Sequence, residues 1–124
     1  MIYKVGTDIV SVNRISRIYQ DYGTVFVRKI LTEQEKIYFN KLPKPKKKSY
    51  LAKRFAAKEA LSKALGGGIG RDFNFNQISV LNTKLGRPFV KYNKNIPALK
   101  NFIVDISLAD DYPFAIAFVI IQST

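Results

Sequence analysis

The fold of this chain is decided by one helical stretch near its middle, Arg54-Phe55-Ala56-Ala57-Lys58-Glu59-Ala60-Leu61-Ser62-Lys63-Ala64-Leu65-Gly66-Gly67-Gly68. Apolar side chains recur in it at the three- and four-residue spacing of a helix face. They are Ala57, Ala60, Leu61, Ala64 and Leu65. The pattern predicts a helix with one apolar stripe packed on a core.

The other side of this helix is predicted to present a carboxylate, a hydroxyl and an ammonium group from Glu59, Ser62 and Lys63. Such a combination is typical of an active-site helix. Alternatively, Glu59 and Lys63 form a surface pair worth a few tenths of a kcal/mol. The glycine run from Gly66 to Gly68 ends the helix, because glycine takes a positive φ without a Cβ penalty. We expect it to leave backbone amides free for a phosphate.

A second acid lies in the predicted strand from Met1 to Val10, where Asp8 follows Thr7 and precedes an apolar pair. Burying a carboxylate without a partner costs several kcal/mol, so Asp8 is expected to hydrogen-bond, pair with a cation or bind a metal. Alternatively, Asp8 ends the strand and caps the next segment. Ser11 could equally cap that segment, which is a predicted helix through Val12, Ile15, Ile18, Tyr19 and Tyr22.

Four segments of the chain together carry a resemblance to a known family. They are Val5-Gly6-Thr7-Asp8-Ile9, Arg14-Ile15, Phe26-Val27-Arg28-Lys29-Ile30-Leu31-Thr32-Glu33-Gln34-Glu35 and Arg54 to Ala64, with the signature Ala-Ala-Lys-Glu-Ala-x-x-Lys-Ala. In this order, and over nearly the whole chain, the sequence resembles the bacterial holo-acyl-carrier-protein synthases. These are the small phosphopantetheinyl transferases.

The resemblance implies a transferase that moves 4′-phosphopantetheine from coenzyme A to a serine of apo acyl carrier protein. The products are holo acyl carrier protein and adenosine 3′,5′-bisphosphate, in support of fatty acid biosynthesis. By position, Asp8 and Glu59 match the family's magnesium ligands, and Lys63 matches a lysine thought to assist the departing bisphosphate. Together they are the candidate catalytic residues. Two carboxylates suit a hard cation that also keeps waters and phosphate oxygens.

Composition limits which groups could accept the proton of the serine hydroxyl, because the chain contains no histidine and no cysteine. The commonest general base and any thiol nucleophile are therefore excluded. Carboxylate, water, lysine and tyrosine remain. The candidate is a water held by the metal or by Asp8, and the sequence does not separate the two.

Residues for coenzyme A also follow from the resemblance. They are Arg54, Lys63, Arg87, Pro88 and Ser107, of which Arg87 and Pro88 belong to the family's Gly-x-Pro turn. Gly66 is a further candidate for coenzyme A, because the amides at the end of the helix are expected to be free for a phosphate. The alternative for Arg54 and Lys63 is a solvated cationic face. The chain departs from the family pattern Ser-x-Ser-His at Leu108, so any role of that imidazole near coenzyme A is missing here.

Composition indicates a single domain, residues 1–124, because the chain is 47% hydrophobic and long enough to bury a core. No apolar run approaches the roughly 20 residues of a membrane span, and the N-terminus is typical of a strand rather than a signal peptide. We therefore expect a cytoplasmic protein without a membrane partner. The absence of cysteine agrees with that compartment.

The net charge of +12 predicts a polyanionic partner. Nucleic acid is disfavoured, because the chain lacks helix-turn-helix spacing, a zinc-ligand set and an RNA-binding signature, and Phe73 and Phe75 are interpreted as core strand residues. Acidic acyl carrier protein and anionic coenzyme A satisfy the same argument. Arg14 and Arg17, three residues apart on the first helix, are the predicted docking residues for the carrier. The runner-up function is a basic binding module without catalysis, supported by Leu108.

A second basic region is the run from Lys44 to Lys48, which is expected to form a loop. Its lysines are either simply solvated or help to hold coenzyme A phosphates or the carrier. The two interpretations are balanced because the loop leads directly into the central helix.

The remaining patterns predict an α+β fold, with an N-terminal strand, a mostly helical half and an antiparallel C-terminal half. Thr32 to Glu35 form a capping box, and Gly86-Arg87-Pro88 join a hairpin. Ile103 to Ser107 and Phe114 to Ile121 are two further strands, the second interpreted as internal and buried on both faces. The resemblance implies a homotrimer with active sites shared between subunits.

Overall fold

A three-stranded antiparallel sheet and a long helix form the centre of the protein. The structure is a computed structural model and describes residues 2–92 and 95–124. The strands are β1 (Ile2–Ser11), β4 (Phe102–Asp111) and β5 (Phe114–Ser123), and their order in the sheet is β1-β5-β4. A separate hairpin consists of β2 (Ile78–Asn82) and β3 (Pro88–Tyr92). The predicted α+β fold is confirmed. Met1, which the sequence assigns to the first strand, lies outside the described residues.

Four helices connect the first strand to the hairpin. They are α1 (Val12–Tyr22), α2 (Thr24–Ile30), α3 (Glu33–Lys41) and α4 (Lys44–Leu65). Ser11 caps α1 by accepting a hydrogen bond from the backbone N–H of Arg14, and Thr32 with Glu35 forms the predicted capping box of α3. The capping role offered as an alternative for Asp8 therefore belongs to Ser11.

Helix α4 packs against β1 and β5, and its backbone comes very close to that of β1. The sequence allows this because the helix presents alanines to the strand: a Cβ at Gly6 would collide with the backbone carbonyl of Ala60 and press on Ala64. Four of the five residues of the predicted stripe are buried, with Ala57, Ala60, Leu61 and Ala64 at most 5% exposed, and Leu65 is partly buried. This close packing is what brings the helix residues next to the acid on β1.

The opposite face of the sheet is open. Along β5, side chains alternate between buried and exposed, so the expectation that Phe114 to Ile121 is buried on both faces is wrong. The strand is internal, yet only one face has a layer packed on it. Apolar side chains that are 40–60% exposed cover the other face: Val5, Ile9, Ile103, Phe114, Ile116 and Phe118.

Two further expectations are corrected. Residues 44–48 form the first turn of α4 instead of a loop, because Pro45 lies at the start of the helix, where its missing N–H and fixed φ are tolerated. Phe73 and Phe75 are core residues as predicted, but Phe75 begins a 3₁₀ helix (Phe75–Gln77) and Phe73 forms an isolated bridge, so neither lies in a strand. Among the described residues, no helix has both the length and the apolar character of a membrane span.

Candidate functional site

The structure brings Asp8, Glu59 and Lys63 together. Asp8 lies on β1 opposite Ala117 and points to the side of the sheet that carries α4. Because β1 is an edge strand, the Asp8 carboxylate is not fully covered by the helix and keeps 19% side-chain exposure. Lys63 Nζ lies 3.4 Å from Asp8 Oδ1, and Glu59 lies one helical turn before Lys63. The convergence predicted from the sequence is present in the fold.

The electrostatics of Glu59 reflect this proximity. Burial raises the pKa of the Glu59 carboxyl above its ordinary value, and the negative charge of Asp8 raises it further. Lys63 and Arg14 act in the opposite direction. Two carboxylates that repel each other in a partly buried position are a site that a divalent cation would neutralise.

The donor set fits magnesium in number and type. Among residues 2–92 and 95–124 there is no group of three or more histidine, cysteine, aspartate or glutamate side chains arranged for a metal. Magnesium in phosphate chemistry is commonly held by one or two carboxylates, with waters and substrate oxygens completing its shell. Two carboxylates, such as those of Asp8 and Glu59, are therefore within the number of protein ligands that such a site commonly uses.

The glycine run ends α4 as expected, but its amides are not the free donors that we predicted. Gly66 has the left-handed φ of 89° and its N–H donates to the carbonyl of Ser62, while Gly67 N–H donates to Asp72 Oδ2 at 3.0 Å. The prediction that free amides bind a phosphate is therefore wrong at Gly66 and Gly67. Ser62 is also only 2% exposed, so it does not share the exposed polar face with its neighbours.

A cavity of about 800 Å³ lies between α3, α4, β4 and the hairpin turn. Its wall includes Arg54 and Pro88, both predicted to bind coenzyme A, and Leu108, which stands at the position of the family histidine. Four cationic side chains line it: Lys46, Lys53, Arg54 and Lys84. Asp110 is the one acid among the described lining residues, and it accepts a hydrogen bond from Ser49 and pairs with Lys53 at 3.3 Å.

Arg54 is largely engaged inside the protein. It is 3% exposed, its Nε donates to the carbonyl of Val80 at 3.2 Å, and its Nη2 donates to Asn82 Oδ1. Its guanidinium lies 4.2 Å from the centre of the Tyr50 ring, and burial raises the pKa of Tyr50 to about 12. The alternative of a solvated cationic face is thus wrong for Arg54, whereas Lys63 is 56% exposed.

Two other predicted coenzyme A residues are exposed. Arg87 lies in the hairpin turn, where its N–H donates to Thr83 Oγ1. Ser107 lies on β4 and, since side chains alternate along a strand, faces the open side of the sheet, whereas Leu108 faces the cavity. The structure therefore separates Ser107 from the cavity of its own chain.

The acids and the cavity lie on different sides of α4. At about 100° of rotation per residue, Glu59 is turned roughly 140° from Arg54, and Lys63 roughly 180° from it. A single chain consequently presents two partial sites, one carboxylate-bearing and one cationic.

Arg14 and Arg17 are exposed on α1, and the charge of Arg14 acts on Glu59. The Arg14 guanidinium lies 5.8 Å from the centre of the Phe55 ring. Next to it, an apolar groove of about 330 Å³ lies between α1, α2 and α4, with Phe26 and Phe55 among its lining residues. The first helix therefore combines cations with an adjoining apolar surface.

Sequence reasoning missed Lys58 and the second role of Glu35. Both side chains are fully buried and form an ion pair of 2.6 Å. The available signal was spacing: Lys58 lies seven residues after Leu51 and three before Leu61, both core positions, so its side chain had to point inward.

Comparison with known proteins gives a consistent result. Residues 4–117 match the model of the 4′-phosphopantetheinyl transferase superfamily. The chain is 39% identical over 130 aligned positions to a holo-[acyl-carrier-protein] synthase of Orientia tsutsugamushi (strain Ikeda), covering 100% of this chain and 99% of that protein.

Two solved structures are similar over their whole length. The holo-[acyl-carrier-protein] synthase of Neisseria meningitidis is 39% identical with a TM-score of 0.87, covering 99% of this chain and 100% of that one. A holo-(acyl-carrier-protein) synthase of Bacillus anthracis, solved in complex with CoA (3′,5′-ADP), is 35% identical with a TM-score of 0.88, covering 100% and 99%.

Proposed function

The chain belongs to the 4′-phosphopantetheinyl transferase superfamily, and we propose that it is a magnesium-dependent holo-acyl-carrier-protein synthase. It transfers 4′-phosphopantetheine from coenzyme A to a serine of apo acyl carrier protein, in support of fatty acid biosynthesis. The observation that carries this proposal is the convergence of Asp8, Glu59 and Lys63 in a chain similar to such synthases over its full length. The cytoplasmic location stays a prediction.

The site residues divide the chemistry between them. Asp8 and Glu59 would hold magnesium, which would supply charge neutralisation at the pyrophosphate of coenzyme A. Lys63, exposed and one turn from Glu59, places its ammonium against the departing bisphosphate. A water held by the metal or by the partly exposed Asp8 would accept the serine proton, since the chain has no histidine for this role.

Coenzyme A is assigned to the cationic cavity, where Lys46, Lys53 and Lys84 meet its phosphates. Pro88 forms part of the cavity wall. Arg54 contributes its positive charge and also holds Asn82 in place by a hydrogen bond. Three further contacts with coenzyme A remain predictions, those of Arg87, Gly66 and Ser107. The contact of Gly66 does not involve its amide hydrogen, because that hydrogen is already bonded within the helix cap.

The experiment is incubation with coenzyme A, magnesium and apo acyl carrier protein, followed by mass spectrometry of the carrier. We expect the added phosphopantetheine with the native chain, and a loss of at least about 100-fold in Asp8→Asn and Glu59→Gln. Glu33→Gln is the matched control, because Glu33 is an exposed carboxylate whose ion pair with Lys36 lies outside the site. Unmodified carrier with the native chain would reject the transferase and favour the basic binding module.

We propose that the protein is a homotrimer whose open sheet face is covered by neighbouring copies. Support comes from the apolar side chains on that face, whose extent is unusual for a monomer surface. Shared sites also agree with the separation of the acids from the cavity, since a neighbour could offer its cavity, and Ser107 at its sheet face, to this chain's acids. Phe118→Lys is expected to give monomers by light scattering, and a monomeric native chain would contradict the proposal.

Arg14 and Arg17 are proposed to dock the acidic carrier, with the adjoining groove taking an apolar side chain of the partner. The paired variant Arg14→Glu/Arg17→Glu should raise the KM for the carrier by about tenfold or more and leave the KM for coenzyme A unchanged. Arg71→Glu, at an exposed arginine after the glycine run, controls for the same kind of charge reversal outside this face, with half the change in net charge. Equal KM values in the three proteins would contradict this docking face.

A further inference from the structure

The ion pair of Lys58 and Glu35 is a buried centre of directional contacts. Lys58 Nζ donates to Glu35 Oε1 at 2.6 Å, to the carbonyl of Ile30 at 2.6 Å and to the carbonyl of Phe75 at 2.9 Å. All three hydrogens of the ammonium therefore have an acceptor. Burial lowers the pKa of Lys58, and the carboxylate of Glu35 opposes that shift.

Glu35 extends the network to two more elements. Its Oε1 also accepts the N–H of Thr32 at 2.8 Å, and its Oε2 accepts the N–H of Val80 at 2.8 Å. The Tyr50 hydroxyl donates to the backbone carbonyl of Glu35. Through this one carboxylate, α4 is joined to the start of α3 and to β2.

The contact between β1 and α4 at Gly6 is apolar by comparison. Gly6 and Ala60 bring the two backbones close together, but neither residue has a polar side chain that could fix the position of the helix along its axis by a hydrogen bond. The hydrogen bonds of Lys58 do resist sliding, because their donor and acceptors must stay aligned. Glu59 is the next residue on the helix, so a shift of Lys58 displaces Glu59 relative to Asp8.

The same network reaches the cavity. Val80, held at its N–H by Glu35, accepts Arg54 Nε at its carbonyl. Arg54 also holds Asn82, whose side-chain amide donates to the carbonyl of Gly86 in the hairpin turn. One buried pair is thus connected to both partial sites.

We propose that Lys58 and Glu35 are positioning residues that set the axial position of α4, and thereby place Glu59 against Asp8 and the hairpin turn against the cavity. The proposal rests on the proposed function. A role in stability alone explains the pair poorly, because replacing a buried ion pair by well-packed apolar residues of similar volume is often neutral or stabilising. What apolar residues cannot reproduce is the direction of the contacts.

The test is the paired variant Lys58→Met/Glu35→Gln, which removes both charges together and leaves neither one buried alone. Manganese binding is measured by electron paramagnetic resonance, and kcat and KM are measured well below the unfolding midpoint. We expect a folded protein by circular dichroism, manganese affinity reduced about tenfold and kcat reduced about tenfold or more. Leu99→Ala is the control, because Leu99 is a buried core residue in the 3₁₀ helix Pro97–Leu99, away from this network.

The outcomes separate the two proposals. If the folded paired variant binds manganese and turns over like the native chain, the pair has no positioning role. The same conclusion follows if Leu99→Ala, at a similar unfolding midpoint, loses as much metal affinity. If the paired variant is unfolded, Glu35→Gln alone is assayed against the same criteria. If the native chain transfers nothing, the function fails, but manganese binding still decides the positioning role.

Discussion

Lys63 Nζ lies 3.4 Å from Asp8 Oδ1, and this contact joins the first strand to the end of the long helix. The lysine is more than half exposed, so the pair contributes little to folding. The contact instead places the ammonium group of Lys63 beside the proposed metal ligands.

Lys63→Gln should therefore reduce kcat by about 100-fold while the unfolding midpoint stays within about 2 °C of the native value. The activity falls because the substitution removes the positive charge at the departing phosphate. The stability changes little because only a weak surface ion pair is lost. Lys36→Gln is the control, since it breaks an ion pair with Glu33 outside the site. A native kcat in Lys63→Gln would remove this lysine from the mechanism.

The raised pKa of Glu59 predicts a stability effect without metal. Between the ordinary glutamate pKa and the raised one, the folded state binds more protons than the unfolded state, so this residue's contribution to stability is lost as pH rises through that range. Glu59→Gln removes the repulsion with Asp8. We expect its unfolding midpoint in chelator to exceed that of the native chain at pH 7, and the difference to shrink towards pH 4. Calorimetry measures both, and a lower midpoint at pH 7 would be inconsistent with the electrostatics described.

Gly6→Ala tests the close approach of strand and helix. The added Cβ collides with the carbonyl of Ala60, so α4 must move away from β1. We expect the free energy of unfolding to fall by about 2 kcal/mol or more and transfer activity to fall with it, as Glu59 moves away from Asp8. Urea titration and the transfer assay measure the two effects. A variant with native stability would mean that the helix adapts without strain.

Local patterns carried most of the fold. The caps at Ser11 and Thr32, the glycine that ends α4 and the turn at Gly86 are short-range features that depend on neighbouring residues, and each is confirmed. The sequence pattern predicts a later start for α4 than the structure shows, because a run of lysines with two prolines resembles a loop. Proline at the beginning of a helix gives the same composition.

The candidate site was predictable in its membership but not in its arrangement. Residue identity and family resemblance selected Asp8, Glu59 and Lys63, and the packing of α4 on β1 brings them together. The hydrogen-bond partners of Arg54 and Lys58 could not be predicted, because they include backbone carbonyls supplied by distant segments. Likewise, the open face of β5 depends on which layers the rest of the chain provides.

The last prediction concerns Asp110, the one acid among the described residues that line the cationic cavity. Its carboxylate pairs with Lys53 at 3.3 Å and accepts a hydrogen bond from Ser49 at 3.1 Å. An anionic ligand in this cavity would be repelled by Asp110 and would compete with it for Lys53. Asp110→Asn should therefore bind coenzyme A about two- to fivefold more tightly, and Lys53→Gln should bind it more weakly by a similar factor.

Isothermal titration calorimetry with coenzyme A at low and high salt measures this effect, and a neighbouring carboxylate distinguishes it from a general change in charge. Asp111→Asn, an exposed neighbour that changes net charge equally, should alter the affinity less than Asp110→Asn. Both differences should shrink at high salt, because screening weakens exposed charge pairs. If Asp110→Asn instead lowers the affinity at both salt concentrations, Asp110 accepts a hydrogen bond from the ligand and does not restrain Lys53.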